Sequence, residues 1–116
     1  MNYWVVGAVW SEHKLEDDFY KRGYWEMGYT DDDKPNYANR RNQIKENDRI
    51  AIKRRDGKGA KTISIKAIGV VKDIYKGKVY INWLLTDINR HVPSKNYFGT
   101  IHKATDENWI NEAFRI

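Results

Sequence analysis

The clearest alternation of apolar and polar positions runs from Asn47 to Val71, N-D-R-I-A-I-K-R-R-D-G-K-G-A-K-T-I-S-I-K-A-I-G-V-V. Ile50 and Ile52 share one face of an extended segment, and Arg49, Ala51 and Lys53 share the other. That two-residue period predicts a half-buried strand. Asp56-Gly57 and Gly59 interrupt it at the point where a chain reversal needs positive φ, which glycine adopts without steric cost. A second strand follows, with Ile63, Ile65 and Ala67 alternating with Ser64 and Lys66. Ile68, Val70 and Val71 then make it apolar on both faces, as in a covered or closed sheet. The hairpin therefore has one wet, basic end and one buried end.

Upstream, Tyr3 to Trp10 is apolar on both faces and reads as a central strand that leaves through Ser11-Glu12-His13. Leu15 to Arg22 predicts a short helix, with acids at its start, Lys21-Arg22 at its end and Gly23 as the cap. Tyr24 to Tyr29 is aromatic and non-repetitive, Thr30 to Lys34 is an acidic turn, and Pro35 opens a helix running to Gln43. Downstream, Lys72 to Tyr75 continues or leaves the strand, and Lys76-Gly77 turns into a strand over Val79 to Leu85. Thr86 to Asn96 is polar, contains Pro93 and reads as a long loop. A last strand is expected around Thr100-Ile101-His102, then a helix from Glu107 to Phe114 capped by Thr105 or Asp106. About five strands and two or three short helices predict an α+β, mainly β domain: a small twisted barrel with helices at its ends. Trp4, Val6, Ile52, Ile65, Ile68, Val70 and Ile81 are the expected core.

The chain of 116 residues fits one domain, or one domain of a longer chain. No apolar run approaches the roughly 18 residues of a membrane span. Met1-Asn2-Tyr3 leads into a strand without the features of a signal peptide, so a cytoplasmic location is expected. Cysteine is absent, which excludes disulfides, a thiolate nucleophile and cysteine zinc sites. The net charge of +5, with 14% aromatic residues, suits phosphate contacts and base stacking, and suits a lysine-rich solvated surface equally well.

Signatures of catalysis are missing. His13, His91 and His102 are dispersed, without the spacing of a zinc site. Asp56-Gly57-Lys58-Gly59 is better explained as a hairpin turn than as a phosphate loop. Asp31-Asp32-Asp33 lacks the glycine and terminal glutamate of a calcium loop. Ser11 and His13 have the wrong spacing for a nucleophile and its base. No catalytic residue, metal or cofactor is expected. The aromatic residues are the positive signal. Trp4 and Trp109 fit a core, whereas Trp10, Trp25 and Trp83 sit at strand ends or in the irregular aromatic segment. Each of those three is either core or the wall of an aromatic pocket.

Taken together, G-Y-W-E-M-G-Y, N-D-R-I-A-I-K followed by I-K-A-I-G-V-V, the A-V-W-S end of the first strand and V-Y-I-N-W resemble one family. The chain is similar to the EVE-like domains of the PUA-like superfamily, relatives of YTH domains. It looks closest to the form at the N-terminus of AAA+ GTPase subunits in McrB-type modification-dependent restriction systems. The resemblance covers residues 3 to 103. Asn47-Asp48 replaces the family's more usual Gly-Asp, and Ser11-Glu12-His13 replaces a more glycine-rich loop.

The resemblance implies a PUA-like barrel that binds DNA and flips a modified base, a modified cytosine above all, into an aromatic pocket. Trp25 matches the principal cage residue, Trp10-Ser11 the pocket border and Trp83 a second wall, with Lys53 positioned for the base or a phosphate. Arg54, Arg55, Lys58 and Lys61 on the hairpin, with Arg90, Lys95 and Tyr97 on the polar loop, are the expected backbone contacts. The implied partners are modified DNA and the GTPase domain and nuclease subunit of an anti-phage system, with no membrane. Three rivals remain open: a YTH-type reader of modified RNA, a nucleotide-processing enzyme and an interaction scaffold.

Overall fold

A computed structural model describes residues 1–10, 13–14, 16–29 and 32–116, with backbone alone at 9, 10, 13 and 14. In chain order the elements are β1 (Tyr3–Gly7), β2 (Val9–Trp10), β3 (His13–Lys14), α1 (Glu16–Arg22), β4 (Tyr24–Glu26), α2 (Pro35–Arg41), β5 (Arg49–Arg55), β6 (Thr62–Tyr75), β7 (Lys78–Leu85), β8 (Arg90–Pro93), β9 (Ile101–Ala104) and α3 (Glu107–Ala113). The architecture is α+β and mainly β, as the pattern predicts. Seven strands form one sheet in the order β4-β7-β6-β5-β1-β9, with β8 also paired to β6, while β2 and β3 form a separate ladder. Among the described residues no ladder joins β4 to β9, so the hydrogen-bonded path is open rather than ring-closed.

The centre of the sheet follows from residues that are apolar on both faces. β1 runs parallel to β5 and antiparallel to β9. Its Trp4 and Val6 enter one core cluster with Ile50, Ile52, Val71 and Ile81, and its Val5 enters a second with Ala51, Ile63, Ile65 and Ile68. Val70 departs from expectation. It takes the alternate position shared with Ile68 but is only half-buried, and Val71 joins the first cluster instead.

β6 is one continuous strand of 14 residues, so Lys72 to Tyr75 extend it. Along one edge it pairs with β5; along the other it pairs first with β8 and then with β7. Gly69 makes this crossing possible. A Cβ there would meet Ile81 Cγ2 at 2.3 Å and both Asn82 O and Trp83 Cε3 at 3.0 Å. β8 forms where a loop was expected, because Val92 is buried and the first half of β6 would otherwise present an unpaired edge. β4 likewise arises from the irregular aromatic segment, Tyr24 to Glu26 pairing with Tyr80 to Lys78. Gly23, at φ 71°, turns the chain from α1 into it.

The helices cap this sheet. Asp106, the N-cap of α3, accepts from the Trp109 N–H at 3.1 Å, and the Trp109 indole donates to Pro93 O at 2.7 Å, tying α3 to β8. No helix among the described residues is long and apolar enough to cross a membrane.

Candidate functional site

Gly7 and Lys53 are direct partners in the parallel β1–β5 ladder, and residues 98–100 cross beside them. The Gly7 N–H donates to Thr100 O at 2.9 Å, which fixes that crossing. Lys53 Nζ and Arg55 Nε both donate to Phe98 O, each at 3.1 Å. The result is a cavity of about 420 Å³, within the usual range of roughly 300–1,000 Å³ for small-molecule sites. Its lining includes three aromatic residues, Tyr29, Tyr37 and Phe98, and three cations, Lys53, Arg54 and Arg55. No carboxylate is among the described lining residues.

Electrostatics distinguish the three cations. Lys53 is only 6% exposed, and burial, with a smaller contribution from Arg55, brings its pKa down to about 8. Among the described residues, the Phe98 carbonyl is the one hydrogen-bond partner of its ammonium group. Arg54 is held by Glu16 of α1 through one guanidinium edge, Nε donating to Oε1 at 3.1 Å and Nη2 to Oε2, so its charge is countered within the fold. Arg55 is exposed and lies over the Phe98 ring, 5.3 Å from its centroid.

The far wall is fitted around Gly99. A Cβ at that position would come within 2.7 Å of the Tyr37 hydroxyl and 3.0 Å of His102 Nε2. His102 Nε2 accepts the Gly99 N–H at 2.8 Å, so that nitrogen carries no proton. Burial first, then the positive charges of Arg40 and Lys53, push the His102 pKa down to about 4 and keep this acceptor available. Arg40 anchors α2 to the same wall by donating to Ile101 O at 2.9 Å.

Of the residues expected to form a base pocket, Lys53 is the one among those described that lines this cavity. Trp25 does not. It is fully buried in the first core cluster, and its indole donates to Gly7 O at 2.8 Å, so it supports the strand behind the cavity. The pairing of Tyr24 to Glu26 as a strand turns this ring inward, which an irregular segment would not have done. Trp83 is half-buried and does not line this cavity either. Its indole donates to Phe19 O at 2.9 Å and its ring meets Tyr20 edge-on, so it holds α1 against β7. Ser11 and the side chain of Trp10 lie outside the described residues.

The expected backbone contacts divide in two. Arg54 and Arg55 reach the cavity, and Lys58 and Lys61 are exposed near the β5–β6 turn. Arg90 instead donates to Ala113 O at 2.9 Å at the end of α3, and Lys95 pairs with Asp106 at 2.9 Å. Tyr97 packs edge-on against Trp109 and beside His102. The polar segment around β8 thus secures α3.

Tyr29, Tyr37 and Phe98 were missed by sequence reasoning. Tyr29 closes the G-Y-W-E-M-G-Y segment, whose tryptophan is buried while its last tyrosine reaches the cavity. Nothing in the local pattern marks Tyr37 or Phe98.

A second polar cluster contains serine, histidine and aspartate without forming a relay. Thr62 Oγ1 donates to Asp56 Oδ2 at 2.6 Å, and Ser64 donates to Asp56 Oδ1. His91 Nδ1 lies 2.9 Å from Asp56 Oδ2 and 3.1 Å from Ser64 Oγ. Burial opposes ionisation of Asp56, yet the hydrogen bonds from Ser64, Thr62 and His91 bring its pKa down to about 2. Both contacts use one ring nitrogen, whereas a relay places nucleophile and acid on opposite nitrogens. The cluster locks β8 to the β5–β6 hairpin. Among the described residues no group of histidines and carboxylates is arranged to hold a metal ion. Comparison with protein-family models and with curated proteins finds no match to this chain.

Proposed function

We propose that this chain is a DNA-binding specificity module that takes a single modified base, a modified cytosine, out of the duplex into the Lys53 cavity. The observation that carries the reading is a buried ammonium group with one acceptor among the described residues, at the floor of an aromatic cavity whose described lining has no carboxylate. Burying a charge is costly unless it is fully paired, so the unfilled donors of Lys53 favour a ligand rich in acceptor atoms. A flipped base is read through its hydrogen-bonding edge while its faces stack on rings. Stacking contributes about 1–3 kcal/mol per base, which offsets the few kcal/mol of extrusion. Arg55 at the mouth, with Lys58 and Lys61 on the adjoining turn, supplies the electrostatic attraction to phosphates.

In this reading the sheet is a PUA-like barrel of the EVE type, and the protein works in the cytoplasm as part of a modification-dependent restriction or anti-phage system. It performs no catalysis; a GTPase domain and a nuclease subunit supply that. The test is binding to matched DNA and RNA oligonucleotides carrying one methylated, hydroxymethylated or plain cytosine. Tighter binding of a modified DNA than of its plain counterpart is expected, with affinity falling steeply from roughly 50 to 200 mM salt. Equal affinity for modified and plain strands overturns the reading, and preference for modified RNA moves it to the YTH-type function.

A further inference from the structure

The Phe98 carbonyl and the Gly99 N–H belong to one trans peptide unit, so they point to opposite sides of a single rigid plane. On one side the carbonyl accepts from Lys53 Nζ and Arg55 Nε, each at 3.1 Å. On the other the N–H donates to His102 Nε2 at 2.8 Å. The chain just beyond is pinned as well, because Thr100 O accepts from the Gly7 N–H at 2.9 Å. What remains to the plane is rotation about its own long axis. Such a turn would break the His102 bond and withdraw the carbonyl from both cations together. The bare Cα of Gly99 is what lets His102 approach, since a Cβ there would stand 3.0 Å from Nε2.

We propose that His102 is a positioning residue for base recognition: through the Phe98–Gly99 peptide it holds the carbonyl that aims the Lys53 ammonium group at the ligand. This rests on the base-reading function proposed above and adds to it a residue that does not itself line the cavity. Among the described residues, Arg40 and Tyr37 of α2 and Tyr97 ahead of β9 surround the imidazole, with Lys53 across the peptide. Arg55 stands beside Lys53 on β5, and Arg54 and Tyr29 complete the titratable lining. These surroundings are cationic or neutral, and burial adds to them, so His102 stays an uncharged acceptor at neutral pH. A neutral ring acts on Lys53 by geometry, not by charge, and can be exchanged for another neutral group without altering the field in the cavity.

The test compares two side-chain amides of equal polarity and different reach. In His102→Gln the oxygen stands as far along the side chain as Nε2 and can accept from Gly99; in His102→Asn it is a methylene too short. In the DNA-free protein, an NMR titration of the lysine Cε resonances reads the Lys53 pKa. It should stay near 8 in His102→Gln and fall by about one unit in His102→Asn, where the ammonium group loses the acceptor that favours its charged form. With an oligonucleotide carrying one modified cytosine at neutral pH, His102→Asn should bind about tenfold more weakly and His102→Gln like wild type. Added to Lys53→Met, His102→Asn should have no further effect on affinity, as expected of a residue that acts through Lys53. A loss that adds to that of Lys53→Met, or the same Lys53 pKa in the Asn and Gln variants, overturns the positioning role and leaves the base cavity intact. If His102→Asn does not fold, His102→Gln decides: wild-type affinity with an unshifted Lys53 pKa upholds the role, and binding as weak as that of Lys53→Met overturns it. Failure of the wild type to prefer the modified base overturns the base-reading function, and the pKa comparison then still decides whether His102 positions Lys53.

Discussion

Asp48, at the entrance of β5, and Lys53, toward its exit, are both buried charged side chains, 3% and 6% exposed. Asp48 is satisfied from three directions. It accepts from the Asn2 N–H, the Trp4 indole and the Lys45 N–H, each at 2.9 Å. Those bonds tie the start of β1, the core and the turn before β5 into one knot. Lys53 has one described acceptor and faces a cavity. A buried charge whose capacity is filled by the fold is there for the fold; one left part-filled at a cavity floor is costly to the fold and suited to a ligand.

The largest expected effect concerns the residue that the resemblance made the cage wall. Trp25→Ala should destabilise by about 3–5 kcal/mol, because it removes a fully buried ring and leaves a void behind Gly7. Chemical denaturation measures this. Loss of base preference without loss of stability would return Trp25 to the site. Asp48→Ala should cost about 3 kcal/mol, since it strands the Trp4 indole and two backbone N–H groups, while the folded fraction still binds.

Lys53→Met should behave in the opposite way. The folded protein resists protonating Lys53, whose pKa falls from 10.5 to about 8. Between those values the unfolded chain binds more protons, so wild-type stability should rise with pH across that window. Below about pH 8 the destabilisation is present in full. Lys53→Met should therefore gain about 1–3 kcal/mol at neutral pH and lose the stability rise above pH 8, while binding weakens at least about tenfold. Thermal melts at pH 7 and 9.5 check both signs. The smallest effect is expected at Lys95, whose pair with Asp106 is exposed. Lys95→Ala should leave the denaturation midpoint and the binding nearly unchanged.

Much of the sheet was legible because its signal is local. The two-residue period of Ile50 to Lys53 and Ile63 to Lys66 marks β5 and β6, and the doubly apolar Trp4 to Val6 marks a central strand. β8 was not legible, because three of its four residues are polar or proline and its strand form comes from pairing with the edge of β6. The resemblance singled out Lys53, and charge singled out Arg54 and Arg55; all three line the cavity. The aromatic wall did not show, because Tyr29, Tyr37 and Phe98 come from three separated segments and meet only through tertiary packing. Trp25 misled for a related reason. A ring in an irregular segment looks available, and the edge pairing of β4 with β7 turned it into the core.

The part-filled charge of Lys53 is tested most directly by the affinity for an oligonucleotide with one modified cytosine, measured from pH 7 to 9.5 for wild type and Lys53→Met. A ligand that accepts from the ammonium group favours its protonated form, so wild-type affinity should fall as pH rises through about 8. Lys53→Met should bind more weakly at pH 7 and show a flat profile over the same range. Parallel profiles for the two proteins would contradict the account, because the base would then be held without Lys53.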